Sequence, residues 1–508
     1  MEGANSSFVY FGYTHFVVIE KLLGWISMSE KLPQKYKDLI RNTYLLNRVH
    51  NSDDMAVAVS RFKTFAEKNL CGRVEIHSYK PGEIFNHWII PRRWNVIQFE
   101  VTGPNGQVIA DISDHPLVVC PYSCSIDIRL SKQELLKKVI TDPGRPQHYP
   151  FYFQRMYRHW EEDWNLSLPY NTIVDLPDGE YHVQLIVEFT DAPMLVFEYI
   201  LDGKTDKTIY MAGHLDHPGL INDSLSGCVA CLQIMEAMER NQTEYTYRVW
   251  ILPEIIGSAV HLKANEWLLE TANFAFCPNM TAHPAPLAMC LSKAQNSLLD
   301  LALIQALKEK ADEHVIGQFH KYADCGDEIS FDTVGYDIPA STLSRIGEQF
   351  VDYHMSSDNL DNFFLEDWQQ RHTAFVDIST MAFHYLESNR VIKPLFRGNP
   401  CLSNPDIDLY LTAGNVNNKR NEVGLGSDLD GKEVDLRNFM EFFLDALSKP
   451  DITTLEIANA SRMPFDFVNE YVQKFAAKNL VQLLPVSKRL CIDQVATTAL
   501  DTANLLKP

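Results

Sequence analysis

Between residues 205 and 390, short apolar runs alternate with longer helical ones, and this alternation limits the fold more than any other feature. "KTIYMAG" leads into "SLSGCVACLQIMEAMER", and "YTYRVWILPE" leads into "SAVHLKANEWLLE". The short runs have the length and β-branched or aromatic content of strands, and the longer ones have the length of helices. Strands separated by helices pair into a parallel or mixed sheet flanked by helices, so the fold class is α/β. Ligand sites in such sheets form beyond the carboxyl ends of the strands. What stands at those ends therefore matters most.

After "TIYMA" comes "GHLDHPGLINDSLSG", residues 213–227, with His214, Asp216, His217 and Asp223 in one loop. "YRVWIL" runs into "PEIIGS", which carries Glu254, and a third polar stretch, "VDYHMSSDNLDNF", carries His354. Imidazoles and carboxylates together suit Zn²⁺ or a similar divalent ion. Glu254 is not an evident ligand. A carboxylate beside a metal-bound water can act as general base, taking the water proton and returning it to a leaving amine.

The rest of the composition narrows the alternatives. A chain of 508 residues suggests about three domains. Its net charge of −21 argues against a phosphate-backbone binder, which would cluster Lys and Arg. No stretch approaches the ~20 apolar residues of a membrane span. The first 25 residues show no basic n-region followed by an apolar core, so no signal peptide is expected. Ten scattered cysteines fit a reducing cytoplasm better than a disulfide framework. Cys228 and Cys231, three apart on an apolar helical run, read as core packing.

Residues 30–80 read as helical, within an N-terminal part spanning 1–85. Residues 86–200 read as a β-rich insert with lead-in strands, separated by turn signals such as "GPNG" and "LPDGE". The α/β core then occupies 201–395 and a linker 396–430. Residues 431–508 read as helix, turn, helix and a short strand pair, the pattern of a winged helix. Residues 451–508 hold six Lys/Arg and six Asp/Glu, so this tail has no basic face for nucleic acid.

Taken together, "GHLD…NDSLSG", "PEIIGS", "GDEISF" and "YHMSSDNLD" resemble the motifs of the zinc aminopeptidase superfamily, which includes bacterial leucyl aminopeptidase, glutamate carboxypeptidase and glutaminyl cyclase. The order of these motifs with "WIIPRRWNV" and "CPYSC" is most similar to a bacterial aminopeptidase-like branch with a β-rich insert and a C-terminal winged helix. The resemblance implies His214 or His217 as one imidazole ligand, Asp223 as the carboxylate ligand and His354 as the other imidazole. It implies Asp216 as the group orienting the first histidine and Glu254 as the catalytic base. Asp327, Glu328 and Tyr353 would face the substrate, the acids meeting a cationic amine.

Two departures stand out. Where the superfamily places two adjacent glutamates, this chain has Glu254-Ile255, and isoleucine cannot bind a metal. The further aspartate expected near "NFAFCPNMTAHP" is absent, leaving Asn279 and His283 as weak substitutes. One zinc is therefore expected rather than two, with manganese or cobalt as alternatives. The expected function is cleavage of an amide next to a free amino group in a small peptide or aminoacyl amide, in a cytoplasmic protein without nucleic-acid or membrane partners. Self-association would use the insert or the winged helix. The alternatives are a biosynthetic amide-processing enzyme acting on a small metabolite and a metal-free scaffold.

Overall fold

The computed structural model describes residues 32–311, 313–318, 326–345, 352–411, 425–427, 429 and 433–491. Its centre is an eight-stranded mixed sheet. In chain order the strands are β1 (Arg73–Tyr79), β2 (Met194–Leu201), β3 (Thr208–His214), β4 (Thr246–Leu252), β5 (Ala272–Pro278), β6 (Leu287–Cys290), β7 (His314–Gly317) and β8 (Ala340–Ser344). Across the sheet they run β1-β2-β4-β3-β5-β8-β6-β7. The inner strands β4, β3, β5 and β8 are mutually parallel, whereas β1 and β2 add antiparallel pairs at one side. β3 and β5 are buried along their full length, which explains why they read as unbroken apolar runs rather than alternating ones.

Helices α1 (Gln34–Thr43), α2 (Asp53–Asn69), α3 (Leu225–Met238), α4 (Ile256–Ala264), α5 (Leu298–Lys310) and α6 (Glu366–Ser388) surround this sheet. α2 begins where the sequence signals it: Ser52 accepts a hydrogen bond from the Met55 amide, and Asp53 and Asp54 occupy the first turn. α3 is buried on nearly every side, with Cys228 and Cys231 inside the core. It lies so close to β5 that a Cβ on Gly227 would sit 2.3 Å from the Pro278 carbonyl oxygen. Only glycine permits that approach.

The insert carries its own four-stranded sheet, ordered Val108–Asp111, Arg93–Thr102, Glu180–Thr190, Ile126–Ser131. Its core packs Trp94, Phe99, Tyr181 and Leu185 together with Leu220, a residue of the polar loop after β3. The insert thereby holds that loop from the side opposite the sheet.

One expectation is corrected. Residues 73–79, read as part of a helical stretch, form edge strand β1, because "RVEIHSY" pairs antiparallel with all of β2 except Leu201. The C-terminal helices α7 (Leu436–Ala446), α8 (Thr454–Ser461) and α9 (Phe465–Ala477) follow the expected order. The strand after them, Val481–Leu484, pairs with Val391–Pro394, the segment after α6. Phe465 stacks on Tyr385 of α6 at 4.4 Å, and these helices share one apolar core with the central sheet. Among the described residues, no helix is long and apolar enough to cross a membrane.

Candidate active site

β3 and β4 end side by side, His214 in register with Leu252, so the loops after them start from one rim of the sheet. The loop from Leu215 to Asp223 is pinned from beneath by Arg48. This guanidinium, fully buried, donates to the carbonyls of Leu215, His217 and Leu220. At Gly219 the backbone is left-handed, φ +66°, and a Cβ would strike the His115 ring at 2.6 Å, so the loop requires glycine there. The Asp358 carboxylate accepts from the amides of Asn222 (2.8 Å) and Asp223 (2.9 Å), tying the end of this loop to the segment that carries His354.

The result is a convergence on one carboxylate. Asp223 Oδ1 lies 3.2 Å from His214 Nε2, and Oδ2 lies 3.2 Å from His354 Nε2 and 3.9 Å from His217 Nε2. The His217 and His354 ring centres are 5.4 Å apart although 137 residues separate them in sequence. Glu254 Oε1 is 3.8 Å from His214 Nε2, and Asp327 Oδ2 is 3.8 Å from His214 Nδ1. Ligand-capable atoms of His214, His217 and Asp223 all lie within 4.8 Å of one another, and all three residues are buried.

The electrostatics are unbalanced. Among the described residues, every ion-pair partner of Asp216, Asp223, Glu254 and Asp327 is a histidine. Burial alone would raise the Asp223 pKa, but His217, His214 and His354 together hold it well below the usual carboxylate range. Glu254 goes the other way: burial and the nearby Asp216, Asp223 and Asp327 outweigh His214 and push it up to about 8. His217 Nδ1 and Asp327 Oδ2 are buried without a hydrogen-bond partner. Buried polar atoms are rarely left so. Imidazole nitrogens and a carboxylate at this spacing fit a divalent cation, which would also balance the charge; His214, His217, Asp223 and His354 are the residues that could hold it.

Glu254 is placed by a strained turn. Ile255 has φ +60° and ψ −58°, and the Ile256 amide donates to the Glu254 carbonyl at 2.6 Å, a three-residue turn that a β-branched residue rarely adopts. It is braced at both ends: Glu254 N donates to Asp216 Oδ1, and Ile255 N donates to Asp327 Oδ1, each at 2.9 Å. The Tyr157 hydroxyl donates to Glu254 Oε2 at 3.2 Å.

Other sequence candidates fall around this centre. Asp216, expected to orient the first histidine, lies 3.8 Å from His217 Nδ1 and also meets His50, Oδ2 to Nε2 at 3.0 Å. Tyr353 stacks on His354 with ring centres 3.9 Å apart. Glu328 is buried and accepts from the Gly326 amide. Asn279, where an aspartate was sought, donates to Asp223 Oδ1 at 3.5 Å, whereas His283 packs edge-on against Trp368. Sequence reasoning missed His50, Arg48, Tyr157 and Asp358. It also missed Phe151 and Phe153 of the insert, whose rings stand 5.3 and 5.2 Å from His354.

The fold of the chain is that of solved zinc aminopeptidase and peptidase structures. A zinc aminopeptidase from Bacillus subtilis superimposes with a TM-score of 0.50 at 12% identity, over 69% of this chain and 95% of that one. A peptidase M28 precursor from Shewanella amazonensis gives 0.51 at 12%, over 72% and 97%. A crystal structure from Clostridium acetobutylicum, named as a peptidase, gives 0.72 at 22%, over 89% and 96%. In sequence, a Clostridium acetobutylicum protein named for polysaccharide biosynthesis and an aminopeptidase-like domain is 25% identical over 392 residues, 77% of this chain and 84% of that protein. The family itself is defined by a model described as a domain of unknown function, DUF4910, which matches residues 37–388; the chain belongs to that family.

Proposed function

We propose that this protein is a metal-dependent hydrolase that cleaves an amide bond beside a free amino group. The observation that carries the reading is the meeting of His214, His217 and His354 on the buried Asp223, with Glu254 alongside. Asp223, His354 and one of His214 and His217 would hold one zinc, with manganese or cobalt able to use the same donors. Three protein ligands leave a fourth position open. A bound zinc supplies Lewis acidity and lowers the pKa of a coordinated water.

The chain's own residues do the rest. Glu254 accepts the water proton at a carboxylate oxygen and returns it to the departing amine. Asp216 fixes the Glu254 backbone by accepting from its amide, and Tyr157 holds the carboxylate. Asp327 Oδ2, which accepts no hydrogen bond, suits with nearby Glu328 the ammonium group of a free N-terminus, and Tyr353 fixes the His354 ring. Phe151 and Phe153 cover the imidazoles and exclude bulk water. The same groups would serve amide processing in biosynthesis, a reading favoured by the relative named for polysaccharide biosynthesis.

The test is the rate of zinc-loaded Glu254→Gln on alanyl-4-nitroanilide against that of the native chain. A loss of at least about 10²-fold is expected, as removal of a general base gives. Equal rates would remove Glu254 from the mechanism.

A further inference from the structure

A second feature of the insert lies beside Glu254 and takes no part in the chemistry above. The hairpin Ile84–Phe85/Trp88–Ile89 closes through Asn86 and His87, both with positive φ (+46° and +69°), the two-residue turn whose twist matches its strands. It presents Trp88 toward Tyr157, ring centres 6.4 Å apart at 64°. The segment that roofs the imidazoles with Phe151 and Phe153 continues through Tyr157 to His159 and Trp160. Hairpin, segment and the first residue of α4 enclose a cavity of about 240 Å³, lined by Trp88, Ile89, Met156, Tyr157, Trp160 and Ile256, with Asn86, His87 and His159 at its polar points.

Three observations give the cavity a function. Its wall touches the proposed base, since Tyr157 bonds to the Glu254 carboxylate and Ile256 lies two residues beyond it. Its lining contains no carboxylate, lysine or arginine. His159 adds no charge near neutral pH, because burial lowers its pKa to about 4 in spite of the bond its Nε2 donates to the Ile89 carbonyl at 3.0 Å. The volume is below the ~300–1,000 Å³ of pockets that hold whole drug-sized ligands, so it suits a single side chain. Trp160, 59% exposed, is a large apolar surface that an occupant would cover.

We infer that this cavity is a specificity subsite that receives an aromatic side chain of the substrate residue flanking the scissile amide. The inference rests on the amide-hydrolase reading above. Sugar rings are disfavoured as occupants because recognition of several hydroxyls needs charged or amide partners that this lining scarcely provides. An aromatic ring instead meets Trp88, Tyr157 and Trp160, where ring pairs add to the gain from burial.

The test uses the zinc-loaded chain on the dipeptides Phe-Ala, Ala-Phe and Ala-Ala. One ring-bearing dipeptide should be cleaved with a kcat/KM at least about tenfold above that of Ala-Ala. In Trp160→Ala, whose exposed side chain supports no core, that ratio should fall to near one, and Trp88→Ala should act in the same direction. A native ratio near one overturns the proposal, as does a ratio that survives both substitutions. If no dipeptide is cleaved, the hydrolase reading fails separately, and tryptophan fluorescence decides the subsite. Saturable quenching by phenylalaninamide but not alaninamide, lost in Trp160→Ala, supports it; the same response in both proteins overturns it.

Discussion

Among the described residues, two histidine–carboxylate clusters, one buried and one largely buried, differ in how the carboxylate charge is met. In the first, His214, His217 and His354 surround Asp223, with Glu254, Asp216 and Asp327 adding negative charge; among the described residues their ion-pair partners are all histidines, and the buried Arg48 directs its donors to the loop carbonyls. In the second, on the antiparallel side of the sheet, His77 and His261 flank Glu198 with a similar spacing of ligand-capable atoms. There Arg248 donates to Glu198 Oε1 at 2.7 Å, Trp250 donates to the same oxygen at 2.8 Å and His77 meets Oε2 at 2.7 Å. Residue types and spacing alone would rank the two alike. In the second, the Arg248 guanidinium pairs directly with the carboxylate and the network braces strands β1, β2 and β4, whereas among the described residues no Lys or Arg forms an ion pair with the carboxylates of the first.

The comparison can be broken most severely at Glu198. Glu198→Gln strips the carboxylate from a nearly buried Arg248, and loss of one partner of a buried pair costs about 3–5 kcal/mol. Urea unfolding should show that loss while zinc content stays at the native value. A fall in bound zinc would mean that the second cluster also holds metal.

Acid sharpens the same contrast. Burial alone would raise the Glu198 pKa, but the bond from His77 and the charge of Arg248 bring it down to about 2. A glutamate titrates near 4.3 in the unfolded chain. The stabilisation is therefore complete above about 4.3 and fades as pH falls toward 2. Between pH 5 and pH 3 the native chain should lose more stability than Glu198→Gln, as measured by denaturant midpoints. Parallel losses would contradict the assignment.

A smaller effect is expected at His50, which pairs with Asp216 and packs edge-on against Tyr157 at 5.1 Å without touching the ligand-capable residues themselves. His50→Ala should lower kcat about tenfold with KM little changed, because Glu254 loses part of its brace but keeps its hydrogen bonds. A change confined to KM would place His50 in substrate binding instead.

Much of this architecture could be read in advance, for identifiable reasons. Strands β3 and β5 are fully covered and β4 nearly so, which makes their apolar runs unmistakable, and the polar residues at the ends of β3 and β4 stand out: His214, His217, Asp223 and Glu254. His354 stood out only as part of a polar stretch, and its role as a ligand needed the resemblance, since its own segment has neither periodicity nor an apolar lead. β1 escaped because an edge strand of mixed exposure carries too little apolar signal against the helices before it. His50 and Arg48 lie between helices α1 and α2 and gain meaning only when the loop after β3 folds over them. Tyr157 and Phe151 sit in the insert, more than 50 residues upstream of the groups they touch, and no local pattern announces an aromatic roof. The strain at Ile255 was equally hidden, because a positive φ at a β-branched residue runs against local preference and is held by distant partners, Asp216 and Asp327.

The central claim is that the first cluster requires a metal and the second does not. Zinc content after supplementation and desalting, measured by plasma emission on the native chain, Asp223→Ala and His261→Ala, tests it most directly. About one equivalent is expected in the native chain and in His261→Ala, and less than about a tenth in Asp223→Ala. A native chain that retains no zinc, or an Asp223→Ala variant that retains all of it, would contradict the account.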